Sequence, residues 1–271
     1  MTAITPPRDW TDIHWPDLAG SSHHAWIAVL PLAATEQHGP HLPLGTDIMI
    51  AQAYLARVQE LVPETLPVTF LPIQTIGIST EHIDYPGTLT VPAEVAIKTW
   101  FALGESVARA GLKKLVMVTS HGGNSAAMSL VAQDLRAQRG MLVVTTSWSR
   151  LSGAEEIFSA DEVAHGIHGG AAETSIMLAR ENEMVRHQAI ADFRPVGARM
   201  ARDHRWLSTR RPAPFAWQAQ DLHPSGVAGD ARQASAENGE RLIDKGAWAF
   251  CELLAEVDQF DIKALSNSPK A

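Results

Sequence analysis

A chain of 271 residues, 45% hydrophobic and 19% charged, can bury a substantial core, and no shift in composition divides it, so one domain over 1–271 is expected. The formal net charge of −8 is carried by scattered acidic residues, which argues against nucleic acid and against an anionic membrane surface as the main partner. One cysteine, Cys251, excludes an internal disulfide; no apolar run approaches membrane-spanning length, and the opening Met-Thr-Ala-Ile-Thr-Pro-Pro-Arg-Asp-Trp lacks the basic and apolar stretches of a secretion signal, so a cytoplasmic protein is expected.

Short apolar runs alternate with longer amphipathic stretches, the pattern of a parallel sheet covered by helices. In chain order the runs Trp26 to Leu32, Val68 to Ile73, Lys114 to Val118 and Leu142 to Thr146 read as strands, each bounded by Pro, Gly or Ser. Between them Thr46 to Glu60, Pro92 to Ala110 and Asn124 to Arg139 have near-helical apolar spacing, with start signals in Thr46, Pro92 and Asn124. Ala171 to Arg180 reads as a further helix and Ser235 to Val257 as a long closing one, in which Cys251 falls among apolar neighbours as a structural thiol. Val185 to Gln220 shows no clean period. It carries Arg199, Arg202, Arg205, Arg210 and Arg211 with Trp206, Phe215 and Trp217; a solvated loop, a subunit contact and a lid over the site all fit it.

In open α/β sheets the ligand site forms beyond the carboxyl ends of the strands, and four such places here are rich in polar groups. The first strand is followed by Glu36, His38, His41 and Asp47, the second by Gly77-Ile-Ser79-Thr-Glu81-His82, the third by Ser120-His121-Gly122-Gly123-Asn124. Well beyond the fourth come His168 and Glu173. Mixed imidazole and carboxylate donors suit zinc, manganese and ferrous iron. Glu36 and His38 stand two apart, so in extended backbone both point to one side, while Asp47, at a helix start, can bridge two cations. His121 precedes two glycines that allow close approach to its ring. His168 and Glu173, five apart across Gly169-Gly170, can reach one site from different directions. The same residues have plainer readings: a surface loop for Glu36 and His38, a glycine-rich turn for His121, a first-turn dipole residue for Glu173. A nucleotide site at His121-Gly-Gly-Asn124 lacks the phosphate-binding lysine, and no Gly-x-Ser-x-Gly elbow suggests a serine hydrolase.

The run Thr35-Glu-Gln-His-Gly-Pro-His-Leu-Pro-Leu-Gly-Thr-Asp47 resembles the signature of the creatininase, or creatinine amidohydrolase, family. Gly77-Ile-Ser-Thr-Glu-His82, Pro86-Gly-Thr-Leu-Thr90, His121-Gly-Gly-Asn124, His168-Gly-Gly-Ala-Ala-Glu-Thr-Ser175 and Gly226-Val-Ala-Gly-Asp230 agree in the same order. The resemblance implies an α/β fold, a three-layer α/β/α sandwich with a mainly parallel central sheet, usually in homo-oligomers such as a hexamer. It also implies two divalent metal ions per subunit (Zn, Mn or Fe) at a centre that hydrolyses amide-type C–N bonds. Glu36, His38, Asp47, His121 and Glu173 match the ligand positions, with Asp47 as the bridge, and His168 matches the histidine proposed as acid and base. His41 is not required as a ligand.

The expected chemistry is attack by a hydroxide shared between ions about 3.5–4 Å apart, with His168 protonating the departing nitrogen. Ser79, Glu81, His82, Gly122 and Gly123 are expected to contact a small-molecule amide substrate or orient a ligand. Members acting on creatinine resemble His-Tyr-Glu-Asn where this chain has His121-Gly122-Gly123-Asn124, and carry an aromatic residue where it has Ala164. That argues against creatinine and for another non-peptide, cyclic or open, amide. A deformylase or peptidase of the same family is the alternative, and a non-catalytic metal or small-molecule binding protein the rival from another class.

Overall fold

The computed structural model describes residues 5–20 and 23–265. Its first half alternates strand and helix: β1 (Ile27–Leu32), α1 (Thr46–Leu61), β2 (Val68–Phe70), α2 (Ala93–Arg109), β3 (Lys114–Thr119), α3 (Ser125–Arg139) and β4 (Leu142–Ser147). There follow α4 (Trp148–Leu151), α5 (Ala160–His165), α6 (Ala171–Arg180), β5 (Asp192–Phe193), α7 (Val196–Asp203), β6 (Leu207–Ser208), β7 (Ala213–Pro214), α8 (Ala219–Leu222), β8 (Gly229–Asp230) and α9 (Ala236–Gln259).

The main sheet has the order β2-β1-β3-β4 with every pairing parallel, Ile27 lying opposite both Val68 and Lys114. Buried on both faces, its strands read as continuous apolar runs, and alternate residues feed two cores. Ile27, Val29, Val116 and Val118 pack with α1, α6 and α9 around Tyr54, Trp148 and Phe250. Ala28, Leu30, Leu115 and Met117 face α2 and α3 around Trp100, Met128 and Leu135. The result is three layers, helices on both faces of a parallel sheet. Helix α9 buries Leu242, Ile243, Phe250, Leu254 and Val257 on one stripe, and the Ser235 hydroxyl caps its start by accepting from the Asn238 N–H.

Three boundaries differ from the sequence reading for local reasons. The second strand ends at Phe70: Leu71 N–H still reaches the Val29 carbonyl, but Gln74 rather than Ile73 donates to the Pro31 carbonyl, so one extra residue breaks the regular register. Asn124 does not cap α3 with its side chain; its carboxamide bonds the Ile78 N–H and the Ala33 carbonyl instead, tying three strand-end loops together. Val185 to Gln220 holds short elements, α7 and a β6–β7 pair among them, each too brief to show a period. Among the described residues no helix is long and apolar enough to cross a membrane.

The strand order places the site. The chain steps from β1 to β2 on one side, then crosses to β3 on the other, so the loops after β1 and β3 diverge and leave a crevice between them, the usual location of a ligand in such sheets.

Candidate metal centre

The loop after β1 enters that crevice under main-chain control. Glu36 N–H donates to the Leu44 carbonyl, Leu89 N–H to the Thr35 carbonyl, and Gln37 N–H to the Thr88 hydroxyl. These bonds use both the β1 loop and Pro86-Gly-Thr-Leu-Thr90, and they bury Glu36 and His38 while α1 brings Asp47 in at its first turn. From the other side His121 leaves β3, and α6 supplies Glu173, whose Oε2 accepts from Gly169 N–H at 2.7 Å. His41 faces elsewhere: its Nε2 lies 3.0 Å from both the Gly169 carbonyl and the Thr174 hydroxyl, fastening the β1 loop to α6.

The side chains converge with lone pairs inward. His38 Nδ1 is 3.1 Å from the Glu36 carbonyl, which can only accept, so its proton sits there and Nε2 is bare. That Nε2 lies 3.9 Å from Asp47 Oδ1 and 3.6 Å from Glu173 Oε2. His121 Nε2 likewise donates to the Ile78 carbonyl at 2.7 Å, turning Nδ1 towards Glu36 Oε1 at 3.1 Å and Asp47 Oδ2 at 3.6 Å. Both Glu36 oxygens, His38 Nε2 and Asp47 Oδ2 are buried without a hydrogen-bond partner. Opposed acceptors in a low-dielectric interior require a proton or a cation between them.

Three donor groups are compact enough to hold an ion: Glu36, Asp47 and His121; His38, Asp47 and Glu173; and Glu36, His38 and His168. The first two share only Asp47 and together use all five residues matched to ligand positions in the sequence.

Electrostatics without metal follow the same geometry. Burial works against a charged Glu36, but the His121, His168 and His82 rings outweigh it and hold the carboxyl below its usual range. Burial, then the Glu36 charge, pushes Asp47 well up, and burial raises Glu173 and Glu81. Burial opposes protonation of His121, yet Glu36, Asp47 and Glu81 carry it up to about 10. Burial and the neighbouring His168 lower His38 well below its usual value and bring His82 to about 3. One proton held on His121 thus stands where the donor set would place positive charge.

A cavity of about 420 Å³ opens over Glu36, Asp47, His121 and Glu173, with His168, His82, Glu81, Gly122 and Gly123 on its wall. Ser79 is fully buried and does not line this cavity, which leaves it the orienting role rather than direct contact with a substrate there. A Cβ at Gly122 would meet nothing within 4 Å, whereas one at Gly123 would strike His121 and the Ile78 carbonyl; the first glycine opens the wall and the second permits the ring's close packing.

One contributor carries no signal in the sequence, and a stretch left open there reaches the site. Glu162, buried on α5, accepts from Ala171 N–H and Asp230 N–H, each at 2.7 Å, and so joins the start of α6 to the Gly226-Val-Ala-Gly-Asp230 segment. Arg210 and Trp217, from the stretch without period, complete the cavity wall. An acidic residue at Glu162 looks like ordinary helix-start charge, and only the chain path brings Trp217 to the site.

Residues 11–254 match the Creatininase family, described as creatinine amidohydrolase. A mycofactocin precursor peptide peptidase of Mycobacterium ulcerans (strain Agy99) is 33% identical over 225 residues, 80% of each chain. A creatinine amidohydrolase of Pseudomonas putida is 26% identical over 245 residues, covering 85% of this chain and 89% of that one. A crystal structure of creatinine amidohydrolase superposes with a TM-score of 0.75 at 20% identity, over 95% of this chain and all of the other. On the extent of that match and the shared fold, the chain belongs to the creatininase family.

Proposed function

We propose that this protein is a metal-dependent hydrolase of amide C–N bonds, built around two divalent ions. One would be held by Glu36 and His121, the other by His38 and Glu173, with Asp47 between them. The observation that carries the reading is the set of buried, unpartnered acceptors on Glu36, His38 and Asp47, all facing one another. Nitrogen and carboxylate donors in this mixture suit Zn, Mn or Fe and disfavour Mg or Ca. Ions bound there would supply an activated water at neutral pH and polarise the amide carbonyl.

The chain's own residues supply the rest. His168 Nε2 donates to the Gln37 carbonyl at 2.6 Å, so its free nitrogen is Nδ1, which lies 3.6 Å from Glu36 Oε1. It is placed to take a proton from the attacking water and hand it to the nitrogen as the C–N bond breaks. Burial of Glu36, His38, Asp47 and His121 lowers the local dielectric and strengthens each electrostatic contact among them.

The favoured substrate class shifts from a non-peptide amide to a peptide amide. The site cavity runs into a second one of about 490 Å³, the two sharing Ser120, Gly122, Ser149, Glu162, Glu173 and Arg210. The joined space is larger than a small ring requires and can take a longer chain. The 33% identity to a peptidase points the same way.

A panel of creatinine, formamides, lactams and short peptides, offered to protein loaded with Zn, Mn or Fe, tests this reading. Turnover of peptides, abolished by a chelator and restored by metal, is expected. Turnover of creatinine or a lactam alone would restore the small-amide alternative, and tight metal binding without any turnover would leave a binding protein.

A further inference from the structure

Two pieces of sequence are left over once the centre is assembled: Gln37, between two ligand positions, and Gly226-Val-Ala-Gly-Asp230. They meet behind the site. The Gln37 carboxamide oxygen accepts from Gly39 N–H at 2.8 Å, and its nitrogen donates to the Gly226 carbonyl at 2.9 Å. Both partners are main-chain groups of fixed polarity, so the carboxamide can stand in only one orientation. Its second proton then points at His82 Nδ1, 2.7 Å away. Two donors cannot face each other at that distance, so His82 Nδ1 carries a lone pair and the ring's proton sits on Nε2. That Nε2 lies 3.5 Å from Glu36 Oε1.

We infer that Gln37, set by the Gly226 carbonyl, is a positioning residue that fixes His82 as the Nε2–H tautomer and thereby aims an N–H at the Glu36 carboxylate. The same residue orders a second ring through its backbone. The Gln37 carbonyl accepts from His168 Nε2, which leaves His168 Nδ1 bare towards the same carboxylate. The rings lie 4.3 Å apart, centroid to centroid, and present opposite polarity to Glu36: a proton from His82, a lone pair from His168. At 3.5 Å that N–H faces one side of the carboxylate without bonding it, which favours its charged form and leaves its lone pairs for metal. Gly226 has φ of +79°, and a side chain there would run into the Gln37 carboxamide, so the segment's glycine serves this contact. The proton assignment stands on hydrogen-bond polarity alone; its consequence for Glu36 rests on the metal-hydrolase reading.

The test is ¹⁵N magic-angle-spinning NMR of zinc-loaded protein, with Gln37→Met and Gln37→Glu variants beside it. In the native protein His82 should show an unprotonated Nδ1, a protonated Nε2 and a through-bond coupling between Gln37 Nε2 and His82 Nδ1. Gln37→Met should lose the coupling and reduce kcat about tenfold or more, at unchanged metal content and little-changed KM. Gln37→Glu, which offers an acceptor instead, should draw a proton onto His82 Nδ1. A native spectrum with the proton on Nδ1, or without the coupling, overturns the inference even if neither variant folds. A correct spectrum from a protein that hydrolyses no amide would overturn the hydrolase reading and leave the proton assignment intact.

Discussion

The loop after β1 and the segment from Val185 to Gln220 reach the same cavity and are built on opposite terms. In the first, Glu36, Gln37, His38, His41 and Asp47 are all buried, and hydrogen bonds to the main chain of Leu44 and Leu89 and to the Thr88 hydroxyl hold the backbone. In the second, Arg199, Arg202, Arg205 and Arg211 are exposed, Trp206 lies under the Arg205 guanidinium on the surface, and the elements are a few residues long. Metal donors must hold their places to fractions of an ångström, which requires an over-determined loop. A wall that selects substrate needs only shape and charge, and can be carried by a stretch with little internal order. On the proposed function, reaction and specificity would be written in different parts of the chain.

That division can be tested from both sides. The largest effect should come from the rigid side: chelation is expected to abolish turnover and Zn, Mn or Fe to restore it, read as initial rates before and after dialysis. Unchanged turnover after verified metal removal would end the two-ion account. Next, His168→Ala should lower kcat by about 10²–10⁴ while elemental analysis finds the metal retained; loss of metal instead would make His168 a ligand, as its place beside Glu36 and His38 allows. On the variable side, Trp217→Ala and Arg210→Ala should raise KM by up to about tenfold with kcat nearly constant, the signature of uniform binding. A collapse of kcat in either would carry the chemistry into the segment.

The smallest effect is on stability. In metal-free protein the His121 pKa, raised from 6.5 to about 10 by Glu36 and Asp47 against burial, favours the folded state below about pH 6.5, and that contribution is lost as pH rises through about 10. The raised Asp47 acts in the same direction, because its ionisation is costly when buried. Melting temperature of the metal-free protein should therefore fall between pH 6.5 and 10, and metal-loaded protein should fall less, since a cation replaces the proton. Parallel curves for the two forms would show that the cluster does not bind the ion.

Most of the fold was legible because its strands are continuous apolar runs closed by Pro, Gly and Ser, and its longer helices carry complete stripes. β1, α1, α3, α6 and α9 start within a residue of where pattern and start signals place them. The polar groups of the centre were legible too, since they cluster after strands and strand order forces them together. Glu162 and Gln37 were not. Their partners, Asp230 and Gly226, lie 68 and 189 residues away, and what they do depends on hydrogen-bond polarity, which leaves no spacing in the sequence. Burial is likewise not written in the spacing: Ser79 follows a strand as expected, yet it is fully buried.

Whether Asp47 joins two ions is decided by metal content. Elemental analysis of purified, metal-loaded protein should find two equivalents of Zn, Mn or Fe per chain, and Asp47→Ala, checked for fold by circular dichroism, should retain little of either. Two equivalents retained in the folded variant would contradict the bridge, and a single equivalent in the native protein would contradict the centre.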